Sequence, residues 1–172
     1  LRHFQWMRDA GVDGVMLQRF TSELRDPAFF EWRNQLADNV RAGAETYGRV
    51  FNIMYDISGQ NETNLVADLQ SDWRYLVNTL HITSSSRYLR HKGQPVVTLW
   101  GLGFTDRPGT PAQAQELLQW FKAAGVTLMG GVPTNWRTLT GDSKTGAAWA
   151  GVYRSFDILS PWSVGRYSSD AG

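Results

Sequence analysis

The chain has 172 residues, no cysteine and a formal net charge of +1, with 42% hydrophobic and 19% charged residues. That balance is that of an ordinary globular protein of one domain. It excludes disulfides, thiolate metal sites and cysteine nucleophiles, and it offers no basic surface for nucleic acid. No apolar run approaches the ~18 residues of a membrane span.

In chain order, residues 3–10 read as the end of an amphipathic helix with Phe4, Met7 and Trp6 inward and Gly11 as its C-cap glycine. "VDGVMLQRF" (12–20) follows as a strand. The next helix has Asp26 as N-cap, Pro27 at its first position and Gly48 as its stop. "RVFNIMYDISG" (49–59) is a second strand, an apolar run that ends on a phenol and a carboxylate before a Ser-Gly turn. A long helical region covers 61–93, with a break at the serines 84–86. "QPVVTLWGLGF" is a strand, and "TPAQAQELLQWFKAAG" is a helix with Thr110 as N-cap and Pro111 behind it. "VTLMGGVPTNW" is strand then loop, 143–154 is helical, and "FDILSPWSVGRY" (156–167) is a last strand with its exit loop.

Strands therefore alternate with helices every ~30 to 45 residues, the spacing of βαβ units. Several strands are near-continuous apolar runs, as expected of parallel strands covered on both sides. Two architectures fit. One is a doubly wound open sheet; the other is a partial (β/α)8 barrel of about five strands. The chain starts at Leu1 within a helix and stops at Gly172 just past a strand, which favours the barrel arc and reads as an internal piece of a longer protein.

In both architectures ligands bind where the carboxyl ends of parallel strands emerge. Those exits carry Gln18 and Arg19, Tyr55 and Asp56, Trp100, Trp136 and Arg137, and Trp162. Polar groups that hydrogen-bond sugar hydroxyls alternate there with tryptophans on which sugar rings stack, which suits carbohydrate. Each residue also has a plainer role. Asp56 can close the turn through Ser58 or Gly59, and Arg19 can pair with Asp56 across adjacent strand tops. Gln18 and Arg19 alternate, so only one of them faces the barrel axis. Trp100 can be core, whereas Trp162 follows Pro161 in a loop. Trp6, Trp32, Trp73, Trp120 and Trp149 lie in helices and read as helix-to-sheet packing.

No cofactor is expected. His3, His81 and His91 show no metal-ligand spacing, and neither a dinucleotide loop nor a P-loop is present. Ser58 lacks the glycine two residues before it that a nucleophile elbow needs.

The segments "GVDGVMLQRF", "RVFNIMYDISG", "GQPVVTLWGLGF", "MGGVPTNWR" and "DILSPWSVGRY", in that order, resemble bacterial glycoside-hydrolase-like proteins. These are often labelled xylosidase/arabinosidase and are related to the endo-α-mannosidase family 99 and the α-1,3-glucanase family 71. The resemblance implies a (β/α)8 barrel in which Asp56, Tyr55, Arg19 and Trp162 face a glycan cleft. It also implies an extracellular or periplasmic setting. Glycosidases use two carboxyl groups, ~5 Å apart for retention or ~6.5–9.5 Å for inversion. The strand exits supply only Asp56, with Asp106 on a loop and Asp170 near the end, so the catalytic pair is expected beyond Gly172. Two alternatives stand beside the hydrolase reading. One is a carbohydrate-binding barrel without hydrolysis. The other is a doubly wound regulatory domain with Asp56 as phosphoacceptor, for which the first and fourth exits lack the required acidic pair and lysine.

Overall fold

A computed structural model of the protein describes residues 1–165. Arg166 and Tyr167 of the last exit loop, and Asp170, lie outside the described residues. The elements run α1 (Arg2–Asp9), β1 (Gly14–Phe20), α2 (Pro27–Tyr47), β2 (Val50–Asp56), α3 (Leu65–Asn78), β3 (Arg90–His91), β4 (Gln94–Trp100), α4 (Pro111–Ala123), β5 (Thr127–Pro133), α5 (Ala147–Arg154) and β6 (Ile158–Trp162).

The helix boundaries follow from their caps. Asp26 accepts the Ala28 and Phe29 amides with Pro27 behind it, and Gly48 closes α2 at φ 65°. That left-handed geometry suits glycine because it lacks a Cβ. Thr110 and Gln113 form a reciprocal capping box at the start of α4.

The long helical region expected over 61–93 is shorter. α3 ends at Asn78, a single 3-10 turn covers Ile82–Ser84, and β3 folds back antiparallel on β4. Lys92 and Gly93, both at positive φ, make the two-residue hairpin turn. Tyr88 locks this segment to the sheet: its buried hydroxyl accepts from the Ile53 amide and donates to the Val96 carbonyl. The Arg87 and Leu89 backbone groups pair with Phe51.

Five strands are parallel in the order β1-β2-β4-β5-β6, with the short β3 on β4. A doubly wound sheet reverses its strand order at a switch point; this one does not. Sequential order with right-handed crossovers places every helix on the same side, which is how a (β/α) barrel winds. The chain is thus a five-stranded, partial (β/α) barrel-like arc. α1 packs on α2, α3 on α4 and α4 on α5.

The core lies between sheet and helices. Leu17, Ile53, Val97, Leu99 and Leu128 meet Leu69, Trp73, Leu117 and Phe121 there. Trp73 and Trp149 are buried as expected, but Trp6 and Trp32 are not: they are 55% and 54% exposed. α1 buries only Phe4, whose ring sits where a Cβ on Gly43 would fall. Trp6 is left beside His3, and Trp32 lies under the Arg33 guanidinium. Among the described residues no helix is long and apolar enough to cross a membrane.

Candidate functional site at the strand carboxyl ends

Successive strand residues point to opposite faces, and registered neighbours share a face. On the helix side, Arg19 stands next to Tyr55 and Tyr55 next to Leu99. On the concave, helix-free side the last two rows are Gln18–Met54–Thr98–Met129–Ile158 and Phe20–Asp56–Trp100–Gly131–Ser160, with Pro133–Trp162 beyond them.

This parity corrects two placements implied by the resemblance. Arg19 and Tyr55 do not face the cleft; they are buried beneath α2 and α3. Arg19 is 1% exposed. Its Nε donates to Asp72 Oδ2 at 2.8 Å, and its Nη2 donates to Asp72 Oδ1 at 2.6 Å and to Asn34 Oδ1 at 2.7 Å. The Tyr55 hydroxyl donates to Asp72 Oδ2 at 2.7 Å. Burial first, then the Asp72 carboxylate, push that hydroxyl's pKa well above its ordinary value, against the opposing pull of Arg19. The ion pair expected between Arg19 and Asp56 is therefore made with Asp72 instead, because Arg19 and Asp56 lie on opposite faces.

Gln18 does face the concave side. Its Nε2 donates to Asp56 Oδ2 at 2.5 Å, and the Ser58 amide donates to Oδ1 at 2.8 Å. Asp56 thus closes the turn and also sits on the strand-end row. Its carbonyl accepts from the Thr21 hydroxyl. Two donors on two oxygens fix the plane of a carboxylate that is 2% exposed and leave lone pairs for a further donor.

Trp100 lies flat across the next strand. A Cβ on Gly131 would come within 2.3 Å of its ring, so only glycine permits this pose. The indole packs on Phe104 at 5.0 Å and meets Trp162 edge-on at 5.6 Å. Trp162 is 41% exposed, and its carbonyl accepts from the Thr134 hydroxyl. The two tryptophans make an aromatic corner beside Asp56.

Trp136 and Arg137 belong to a different cluster. Trp136 meets Tyr153 of α5 edge-on at 6.4 Å, and Arg137 lies over its ring at 5.0 Å. Among the described residues no ring contact or hydrogen bond links either to Asp56, Trp100 or Trp162.

The residues missed in the sequence are Arg107, Asn52 and Thr98; Gly131 stands at a strand exit, but its role in making room for Trp100 was not read. The Arg107 guanidinium covers the Trp100 ring at 5.2 Å. Its loop is braced on several sides: Glu62 accepts the Gly109 amide, Lys144 donates to the Gly109 carbonyl, and Thr105 donates to the Asp142 carbonyl. Asn52 Nδ2 donates to Thr98 Oγ1 at 2.9 Å. Among the described residues three buried polar atoms lack partners, namely Asn52 Oδ1, Trp100 Nε1 and Arg107 Nε, and such orphans are uncommon.

Three further carboxylates near the strand exits are otherwise engaged. Glu62 holds Gly109, Asp142 accepts the Thr134 and Asn135 amides, and Asp106 pairs with Arg107. Among the described residues, no group of three or more His, Cys, Asp or Glu is arranged to hold a metal. Compared with family models, with curated proteins and with solved structures, the chain gives no match.

Proposed function

We propose that the strand-end face binds carbohydrate, as the sugar-holding part of a glycoside-hydrolase-like barrel. The observation that carries the reading is the Trp100–Trp162 corner standing beside an Asp56 carboxylate oriented by Gln18 and Ser58. A pyranose ring presents C–H groups on its faces and hydroxyls on its rim. Trp162 offers an exposed aromatic surface for the first, and Asp56 and Gln18 offer acceptor and donor for the second. The five-segment resemblance points the same way.

Hydrolysis is not assigned to Asp56 alone. Cleavage needs an acid and a base or nucleophile, and Asp56 is the one carboxylate on the two strand-end rows among the described residues. A binding barrel without turnover rests on the same contacts and differs only in yielding no product. The phosphoacceptor reading loses its support, because the strand order is sequential rather than doubly wound.

The test is titration with a panel of oligosaccharides, followed by tryptophan fluorescence and calorimetry. For a ligand that binds, Trp162→Ala and Asp56→Asn are each expected to weaken affinity about tenfold or more, the scale of a lost stacking surface or charge-assisted hydrogen bond. Affinity unchanged in both variants would sink the site.

A further inference from the structure

We infer that Arg107 and Trp100 form an oxyanion-recognising subsite on the strand-end face, so that the glycan it accepts is acidic, carrying a carboxylate or a sulfate. The sugar part of this inference rests on the carbohydrate reading above; the anion part rests on separate observations.

The first is the pair of orphaned donors. Trp100 Nε1 and Arg107 Nε are both buried and both lack an acceptor, and the guanidinium lies over the indole. Two N–H groups of adjoining side chains with nothing to donate to call for a group rich in lone pairs. One that also carries negative charge is favoured, since a guanidinium prefers oxyanions, which it can take up with two parallel N–H bonds.

The second is the way Arg107 is occupied. Its Nη1 is the engaged end: it donates to the Asp106 carbonyl at 3.3 Å and pairs with the Asp106 carboxylate at 2.6 Å. That carboxylate is 67% exposed, so water and salt screen it. The Nε atom itself is shielded from solvent, but the side chain is 22% exposed, so a ligand meets the exposed part of the guanidinium first and reaches the Nε edge by a small shift of the side chain, with the loop still folded. The third is rigidity. The bonds from Glu62 and Lys144 to Gly109 fix the loop just beyond Arg107. The Arg107 amide itself donates to the Phe104 carbonyl. A site held in this way loses little entropy on binding.

Asp56 shares the row with Trp100 and opposes an anion placed on top of it. The acidic group therefore belongs at the Arg107 side of Trp100, with sugar hydroxyls toward Asp56. That arrangement gives one ligand a direction across the site.

The experiment compares three oligosaccharides by calorimetry on the whole chain: a trigalacturonate, its fully methyl-esterified form, and a sulfated neutral oligosaccharide of the same length. The acidic forms are expected to bind about tenfold or more tighter than the ester, with affinity falling as salt rises. If only the uronate shows this gain the source is a carboxylate; if only the sulfated sugar does, it is a sulfate ester. Arg107→Gln is expected to remove the gain of the acidic forms over the ester. Trp100→Phe, which keeps a ring but deletes the N–H, is expected to remove part of it. Ester and acid binding equally, with Arg107→Gln silent, would overturn this inference and leave the carbohydrate reading standing. Neither acidic nor neutral sugars binding at all would overturn both.

Discussion

Gln18 and Arg19 are neighbours in β1, and Tyr55 and Asp56 are neighbours in β2, yet each pair is divided between the two faces of the sheet. On the helix side the polar groups form a closed set. Asp72 receives both the Arg19 fork and the Tyr55 hydroxyl, and Asn34 takes the remaining Arg19 contact. On the concave side the set is open. Asp56 is held by only two donors, and among the described residues Trp100 Nε1, Arg107 Nε and Asn52 Oδ1 have no partners. A buried polar cluster that satisfies itself joins elements together, here β1, β2, α2 and α3. One that leaves groups unsatisfied is stable only if the missing partners arrive from outside, or if the sites stay wet.

The sharpest way to break this comparison is to remove one carboxylate from each face. Asp72→Ala leaves the Arg19 guanidinium buried and unpaired, which costs about 3–5 kcal/mol. It should abolish or nearly abolish folding, read as a lost or greatly shifted urea transition. Asp56→Ala deletes a turn-closing bond and should cost only about 1–2 kcal/mol, while taking away glycan affinity. Equal destabilisation by the two variants would mean that the concave carboxylate is as structural as the other.

The buried tyrosine hydroxyls, Tyr55 of the helix-side network among them, make stability depend on alkaline pH. Burial is the leading cause that raises the Tyr55, Tyr88 and Tyr153 hydroxyls above their ordinary value. A folded value above the unfolded one means that the neutral form is favoured by folding. That stability is complete below the unfolded tyrosine value, near ~10, and drains away as pH climbs from there toward the folded values. Urea midpoints at pH 8, 10 and 11 should therefore fall over the last interval. Of the six tyrosines, these three should ionise only as the chain unfolds, giving a second rise in tyrosinate absorbance. Tyr55→Phe should flatten the alkaline fall. A single smooth ionisation that leaves the fold intact would show that these hydroxyls are more accessible than the packing implies.

Local signals carried much of the architecture. Asp26–Pro27 and Thr110–Pro111 mark helix starts whatever surrounds them, and Gly48 marks a stop, because a cap is satisfied within four residues. The five parallel strands were legible from the repeated βα spacing, but that spacing fits a doubly wound sheet as well as a barrel arc, and the sequential order follows only from the strand pairing. Which face each strand end presents was not. Alternation separates Gln18 from Arg19 but does not say which turns inward, because both faces bear polar residues here. The partner that settles it, Asp72, is 53 residues from Arg19 on a helix, and no local pattern ties them. The hairpin at Lys92–Gly93 was read as helix because only Gly93 signals a turn, and a lysine at positive φ leaves no mark in the sequence. Arg107 and Gly131 escaped for a related reason: one lies in a loop beyond β4, the other matters only once β4 and β5 are in register and Trp100 needs the space.

The smallest expected effect calibrates the other two, because it comes from a carboxylate at the opposite end of the same strands. Asp157, just before β6, accepts the Leu128 amide at 2.9 Å and pairs with Lys122 at 3.1 Å. Burial pushes its carboxyl up, but that amide and Lys122 together outweigh it and hold the pKa below its usual value. A depressed folded value gives stability that is present above the unfolded carboxyl value, near ~4, and lost as pH falls through the folded one. Because the side chain is 37% exposed, water screens the pair, and Asp157→Asn should cost under about 1 kcal/mol at pH 7. The gap between wild type and variant in urea should hold at pH 7 and 5 and narrow as pH falls below the ordinary carboxyl range. A gap that does not narrow at all on acidification would mean that the contact works through shape and a neutral hydrogen bond. In that case charge on exposed carboxylates contributes little in this sheet.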